Sequence, residues 1–123
     1  MTFQLDENSP IFLQIKEQLE DSIINGTVKP GERIPSTNEF AKHYQINPAT
    51  AAKGINELVD EGILVKRRGV GMFVTEDAET ILVRKRKQTF YDHYVVPLKR
   101  EARKLYISQD ELLEMIKRED AES

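Results

Sequence analysis

The run IPSTNEFAKHYQINPATAAKGINELVDEGILVKRRGVGMFV, Ile34 to Val74, carries its own punctuation at every joint. Ser36 followed three residues later by Glu39 is a capping box, so a helix is expected from Thr37. Asn47 before Pro48 supplies an N-cap and a first-turn proline, which restarts the chain as a second helix. Gly62 ends that helix, where the backbone needs a residue tolerant of left-handed dihedrals. Leu64-Val65-Lys66 and Met72-Phe73-Val74 then flank Arg67-Arg68-Gly69-Val70-Gly71, a two-strand ribbon around a basic, glycine-bearing tip. Helix, tight turn, helix and hairpin in that order predict a winged helix-turn-helix.

Upstream, Ser9 and Pro10 read as the N-cap and first position of an opening helix that runs to about Asn25. Phe12, Ile15, Leu19 and Ile23 form its apolar stripe, with Lys16, Glu17, Glu20 and Asp21 on the solvent side. Gly26 stops it, Lys29-Pro30-Gly31-Glu32 is a turn, and Arg33-Ile34-Pro35 is a short extended lead into the next helix. Phe40, Ala41 and Tyr44 are expected to face Ala51, Ile55, Leu58 and Val59, with Ile46 filling the turn between the two helices.

Downstream the character changes. Glu76-Asp77-Ala78-Glu79 suits the positive end of a helix dipole. Ile81, Phe90, Tyr94, Leu98, Ala102 and Leu105 continue that helix at spacings near three and four. Pro97 inside the pattern predicts a kink or break near Val95–Pro97. Ser108 and Glu111 form a second capping box, and Leu112, Leu113, Met115 and Ile116 stripe a final helix. The expected architecture is mainly α with a small β-hairpin wing, a domain over 1–75 and a two-helix tail over 76–123. Such a tail is too small to bury a core alone, because units below roughly 40–70 residues usually need staples or a partner. A second copy of the chain is the expected answer, with Phe90, Tyr94, Leu98, Leu105, Leu112 and Ile116 as the dimerisation stripe.

Composition bounds the function. No cysteine is present among the 123 residues, which excludes disulfides and thiolate metal sites and points to a reducing, cytoplasmic setting. No apolar run approaches a membrane span, and the N-terminus lacks a signal-peptide pattern. The formal net charge of −3 argues superficially against nucleic acid. Its distribution argues the other way: residues before Val28 hold one lysine against five carboxylates, whereas Val28–Val74 holds seven lysines and arginines against five. The potential of the contacting face governs binding to DNA, not the sum over the chain.

In a helix-turn-helix the second helix enters the major groove and its N-terminal residues reach base edges. Ala49, Lys53 and Asn56 form its outward stripe, with Thr50 beside it and Asn47 and Pro48 at the tip. Asn47 and Thr50 suit hydrogen bonds to phosphates or base edges, and Lys53 is a mobile cation for phosphate or guanine. Ala49, Ala51 and Ala52 permit close approach but donate nothing. One subunit therefore offers about two good polar base contacts, roughly 2–6 kcal/mol of discrimination. Specific binding requires about 4–10 kcal/mol. Two subunits on two half-sites close that gap, which again favours a dimer.

Lys66, Arg67 and Arg68 charge the wing, and Gly69 and Gly71 around Val70 let its backbone approach the sugar-phosphate edge. Ser36, Thr37, Asn38 and Lys42 on the first helix complete the expected double-stranded DNA face. Arg84-Lys85-Arg86-Lys87 splays around a helix and reads as a solvated face rather than a second DNA site. His43 and His93 stand alone, without metal-ligand spacing. No nucleophile elbow, phosphate loop or dinucleotide fingerprint is present, so neither catalysis nor a cofactor is expected.

These motifs resemble the GntR family of bacterial transcriptional regulators. The resemblance runs from Pro10 to Val74 through Ile34-Pro35-Ser36, Glu39-Phe40-Ala41, Ile46-Asn47-Pro48-Ala49-Thr50, Glu57-Leu58, Glu61-Gly62-Ile63-Leu64 and Arg68-Gly69-Val70-Gly71-Met72-Phe73-Val74. Asn47-Pro48 and the short two-helix tail, with Pro97-Leu98, Glu101-Ala102, Ile107-Ser108 and Glu111-Leu112-Leu113, resemble the YtrA subgroup. The resemblance implies a homodimeric regulator, commonly a repressor, on an inverted-repeat operator, in this subgroup often of transporter operons. The chain departs from the family at Asn38, where an arginine is common, and at Val70, where a basic residue is. Ala51 stands for a β-branched residue and Gly54 for an alanine, at roughly 0.5–1 kcal/mol of helix stability unless close packing needs the glycine.

Two alternatives stand beside the operator-binding reading. Winged helices also dock proteins, and Asn38 and Val70 thin the basic footprint. The tail could instead gate DNA binding through a small-molecule effector held among Phe90, Tyr91, Tyr94 and Tyr106, although dimer core is the plainer reading of those aromatics.

Overall fold

The first helix, α1 (Ile11–Ile24), sets the floor of the N-terminal unit in a computed structural model that describes residues 5–119. Ile15, Leu19 and Ile23 are buried along one side of it, as the stripe predicts, but Phe12 is only half-buried, and Glu20, expected on the solvent side, is buried. Its start differs in detail from the expected Ser9 cap. Pro10 precedes the first turn without a side-chain cap, and its carbonyl accepts the N–H groups of Leu13 and Gln14. Buried Gln14 secures the approach instead, donating to the carbonyls of Asp6 (2.7 Å) and Ser9 (2.8 Å) and accepting from the Asp6 amide at 2.8 Å.

Helix α2 (Thr37–Tyr44) begins at Ser36, whose Oγ accepts from the Glu39 amide. It ends at Gln45, which is left-handed at φ 54° although it is not glycine. Helix α3 (Pro48–Asp60) begins where Asn47 Oδ1 accepts from the Ala49 amide at 2.8 Å. At its other end Gly62 sits at φ +82°, its N–H donating to Val59 while Ile63 N–H donates to Leu58. That pair of bonds is a Schellman closure.

The wing is broader than a two-strand ribbon. Strands β2 (Leu64–Arg67) and β3 (Gly71–Val74) pair antiparallel, and the short lead upstream of α2 adds an edge strand, β1 (Arg33–Ile34). The sheet order is β1-β3-β2, with Arg33 opposite Phe73 and Ile34 opposite Met72. Ile34, Leu64, Met72 and Val74 turn inward onto Phe40, Ala51, Ile55 and Leu58, and form one continuous core with α1. Apart from Ala51, each such side chain stabilises the fold by about 1.5–3 kcal/mol.

Helix α4 (Ala78–Phe90) starts within this unit, where Ala78 and Leu82 are fully buried. The N-terminal compact unit therefore runs to Lys85, ten residues beyond the end of the wing sequence at 75, and a second begins at Arg86.

In the second unit the chain does not break before Pro97. A π turn, Tyr91–Val95, follows α4 and leads directly into α5 (Val96–Lys104). Phe90, Val95 and Val96 all keep right-handed helical dihedrals, and Val96 N–H reaches back five residues to Tyr91. Proline lacks an N–H and its ring presses on the carbonyl four residues earlier, and the wider turn relieves both problems. Ser108 caps α6 (Gln109–Lys117) by accepting from the Glu111 amide at 3.1 Å, as its capping box predicts. Ala102 is the only buried residue among those described in this unit.

Candidate nucleic-acid interface

Asn47, Pro48 and Ala49 at the start of α3 are exposed, together with Lys53 and Asn56, while Thr50 is half-buried beside them. Ala51, Gly54, Ile55 and Leu58 occupy the opposite, buried side. The two faces follow from the helical period alone. Cap formation changes what Asn47 can offer: its Oδ1 already accepts the Ala49 amide, so the amide NH2 remains as a donor. Lys53 is less mobile than its sequence implies, because its Nζ rests 4.0 Å from the centre of the Phe12 ring. Cation–π contact of this kind holds the ammonium near the helix while leaving it exposed.

On α2, Asn38 and Lys42 are exposed, and Ser36 and Thr37 are half-buried at the cap. Arg67, Arg68, Gly69 and Val70 form the exposed wing tip, with Gly71 half-buried behind them. Gly71 needs to be glycine for two reasons. Its φ is +140°, and a β-carbon there would fall 2.7 Å from Arg33 Nε.

Strand alternation sorts the wing's side chains. Arg33, Val65 and Phe73 are opposite one another across the three strands, and Arg67 is opposite Gly71, so these share the face away from the core. Arg67 lies with its guanidinium carbon 4.6 Å from the Phe73 ring centre. Arg33 donates from Nε to the Val70 carbonyl at 3.3 Å and from Nη2 to Glu39 at 3.0 Å. It thereby links the wing tip to the first turn of α2. Hydrogen bonds from the Arg33 guanidinium, then from Ser36, hold the Glu39 carboxyl below its ordinary pKa.

Neither Arg33 nor Phe73 stands out as a site residue in the sequence. Arg33 lies in an extended segment with no periodicity, and only the register of β1 on β3 brings it to the wing.

Lys85 also differs from its expected role. It is not a merely solvated member of a basic run, since its Nζ pairs with Glu20 at 2.6 Å and Glu61 at 2.9 Å. Lys16 pairs with Glu57 at 3.0 Å and Glu61 at 3.3 Å. Together these bonds tie α1, the end of α3 and α4. Burial by itself raises the Glu61 pKa, but Lys85 and Lys16 outweigh it and leave the carboxyl below its ordinary value. Burial likewise lowers the Lys85 pKa, and Glu20 and Glu61 outweigh that to leave it raised.

Residues 12–74 match the profile of the bacterial regulatory proteins of the gntR family. The chain belongs to the GntR family. Its relatives are transcriptional regulators rather than enzymes. The HTH-type transcriptional repressor YtrA of Bacillus subtilis is 40% identical over 82 residues, which span 65% of this chain and 63% of that protein. The HTH-type transcriptional regulator YhcF of the same organism is 32% identical over 117 residues, 95% of each chain. Among solved structures, a GntR-family regulator from Listeria monocytogenes superposes with a TM-score of 0.75 at 25% identity, covering 94% of this chain and all of that one. The DNA-binding domain of AraR in complex with operator ORX1 superposes at 0.53 with 27% identity, covering 61% of this chain and 99% of that one. A mainly helical fold with a small three-stranded antiparallel sheet is thus shared across the GntR structures.

The expected dimerisation residues Phe90, Tyr94, Leu98, Leu105 and Ile116 are exposed in the single chain, and Leu112 is half-buried. Phe90 and Tyr94 stack with ring centres 5.6 Å apart. Tyr91 and Tyr106 are exposed too. No helix among the described residues is long and apolar enough to cross a membrane.

Proposed function

We propose that this chain is a transcriptional repressor that binds double-stranded DNA as a homodimer on an inverted-repeat operator. The observation that carries the reading is the shared exposure of the α3 tip and of a basic wing tied to α2 by Arg33. Residues 1–75 supply the DNA contacts: Asn47, Thr50 and Lys53 read or flank base edges, and Arg67, Arg68 and the glycine-bearing tip track the backbone. Ser36, Thr37, Asn38 and Lys42 contribute from the start of α2. The operator complex of the AraR domain and the repressor YtrA support this assignment by analogy.

Residues 76–123 supply the second copy's docking surface. Among its described residues the unit from Arg86 onward buries only Ala102, and most of its large apolar side chains face solvent, so pairing lowers its free energy. The natural setting of such a regulator is the cytoplasm.

Selection of bound duplexes from a random pool, followed by sedimentation of the complex, tests the whole reading. An enriched palindromic motif bound by two chains is the expected result. Recovery of unenriched DNA, or of no DNA at all, would favour a protein-docking role for the winged helix.

A further inference from the structure

The arginine that bridges the wing to α2 has more donors than its two partners use. Arg33 projects from an edge strand onto the outer face of the sheet, where its side chain crosses Gly71. Nε is committed to the Val70 carbonyl and Nη2 to Glu39, so the remaining guanidinium N–H groups stay uncommitted. The group is nonetheless held in place. It is anchored at the strand, at the wing-tip carbonyl and at the α2 carboxylate, and its side chain is 46% exposed.

Glu39 is 54% exposed, so this ion pair stands in water. Exposed pairs contribute little, and a phosphate matches the planar fork of donors as well as a carboxylate does, so the pair is readily exchanged. Val70, at 61% exposure, occupies the wing turn without a charge of its own. The guanidinium beside its carbonyl therefore stands at the wing tip where a basic turn residue would.

We propose that Arg33 is a phosphate-contacting residue of the wing, kept oriented by Glu39 in the free protein and exchanged from that carboxylate to the DNA backbone on binding. The inference rests on the operator-binding reading and adds a residue to it. Arg33 then has two successive partners. Glu39 orients the fork before binding but also competes with the phosphate, as a negative charge beside the DNA. Relieving that competition strengthens binding, whereas a purely structural bridge predicts the opposite.

The experiment measures binding of the full chain to a fluorescein-labelled random-sequence duplex across a salt series. The variants are Arg33→Gln, Arg33→Lys and Glu39→Gln. Glutamine is itself a capping-box residue, so Glu39→Gln removes the charge while keeping the start of α2. Arg33→Gln is expected to flatten the log–log salt slope by about 0.9 per subunit, and Arg33→Lys to retain the slope. Glu39→Gln is expected to tighten binding severalfold. An unchanged slope in Arg33→Gln overturns the proposal, as does Glu39→Gln binding no tighter than wild type. If Arg33→Gln fails to fold, Glu39→Gln alone decides. A wild-type slope near zero instead removes the operator-binding reading on which the proposal stands.

Discussion

A β-carbon placed on Gly54 falls 2.7 Å from the backbone carbonyl oxygen of Phe12. At that point α1 and α3 approach so closely that only a hydrogen fits between them. Helix propensity alone favours alanine at this position by about 1 kcal/mol. The contact reverses the sign, because a backbone carbonyl cannot move aside as a side-chain tip can. Gly54→Ala should lower the stability of the N-terminal unit by about 1–3 kcal/mol, the usual cost of overpacking. Urea denaturation followed by circular dichroism measures it. A stabilised variant would mean that α1 does not sit against α3 at this distance.

Acid should act on this unit through Glu61. Its folded-state pKa lies below the ordinary 4.5, because Lys85 and Lys16 outweigh its burial. A lowered carboxylate pKa adds stability that is complete above the unfolded value and lost as pH falls through the folded one. The urea midpoint should therefore fall as pH drops below 4.5, and Glu61→Gln should flatten that part of the profile. Lys85→Met tests the same cluster at neutral pH. Lys85 is 39% exposed but Glu20 only 6%, so the expected loss lies between that of an exposed pair, about 0.2–1 kcal/mol, and that of breaking a buried one, about 3–5 kcal/mol. A midpoint that is independent of pH would separate Glu61 from the lysines.

The α3 tip and the wing should fail in different ways. Thr50→Ala is expected to change the preferred base at one half-site position, at a cost of about 1–3 kcal/mol. Arg68→Ala should weaken all sequences alike. Thr50 is a cleaner probe than Asn47, whose side chain caps α3 and contributes about 1 kcal/mol there. A panel of single-base operator variants at fixed salt gives both profiles. Identical, uniform profiles would mean that α3 does not read sequence.

Truncation should separate folding from pairing. Ending the chain after Val74 removes Ala78 and Leu82 from the core, so the cut belongs after Lys85. That fragment should stay folded, sediment as a monomer and bind an operator much more weakly than the full chain. Leu105→Asp in the full chain should likewise shift the sedimentation profile toward monomer, since Leu105 is 61% exposed and its substitution disturbs no core of its own. A dimeric fragment would move the pairing surface into the winged helix.

Much of the N-terminal unit was legible from local chemistry. The Ser36 and Asn47 caps, the Gly62 closure and the apolar stripe of α1, like the Ser108 cap in the second unit, each depend on side chains within a few residues of one another. The exposed set Asn47, Ala49 and Lys53 follows from the helical period in the same way. Gln45 shows the limit. The turn between α2 and α3 requires a left-handed residue, yet no glycine announces it.

The sequence by itself determined where the helices begin, which faces are apolar and that a basic hairpin follows α3, because caps, periodicity and turn chemistry act between near neighbours. Only the tertiary structure decided that Arg33 reaches the wing tip, that Gly54 is required by Phe12 and that Lys85 pairs with Glu20 and Glu61. Those partners are separated along the chain by 37 residues for Arg33 and Val70, and by 65 for Lys85 and Glu20. Contacts across such separations depend on strand register and helix docking, which the whole core sets and no short segment encodes.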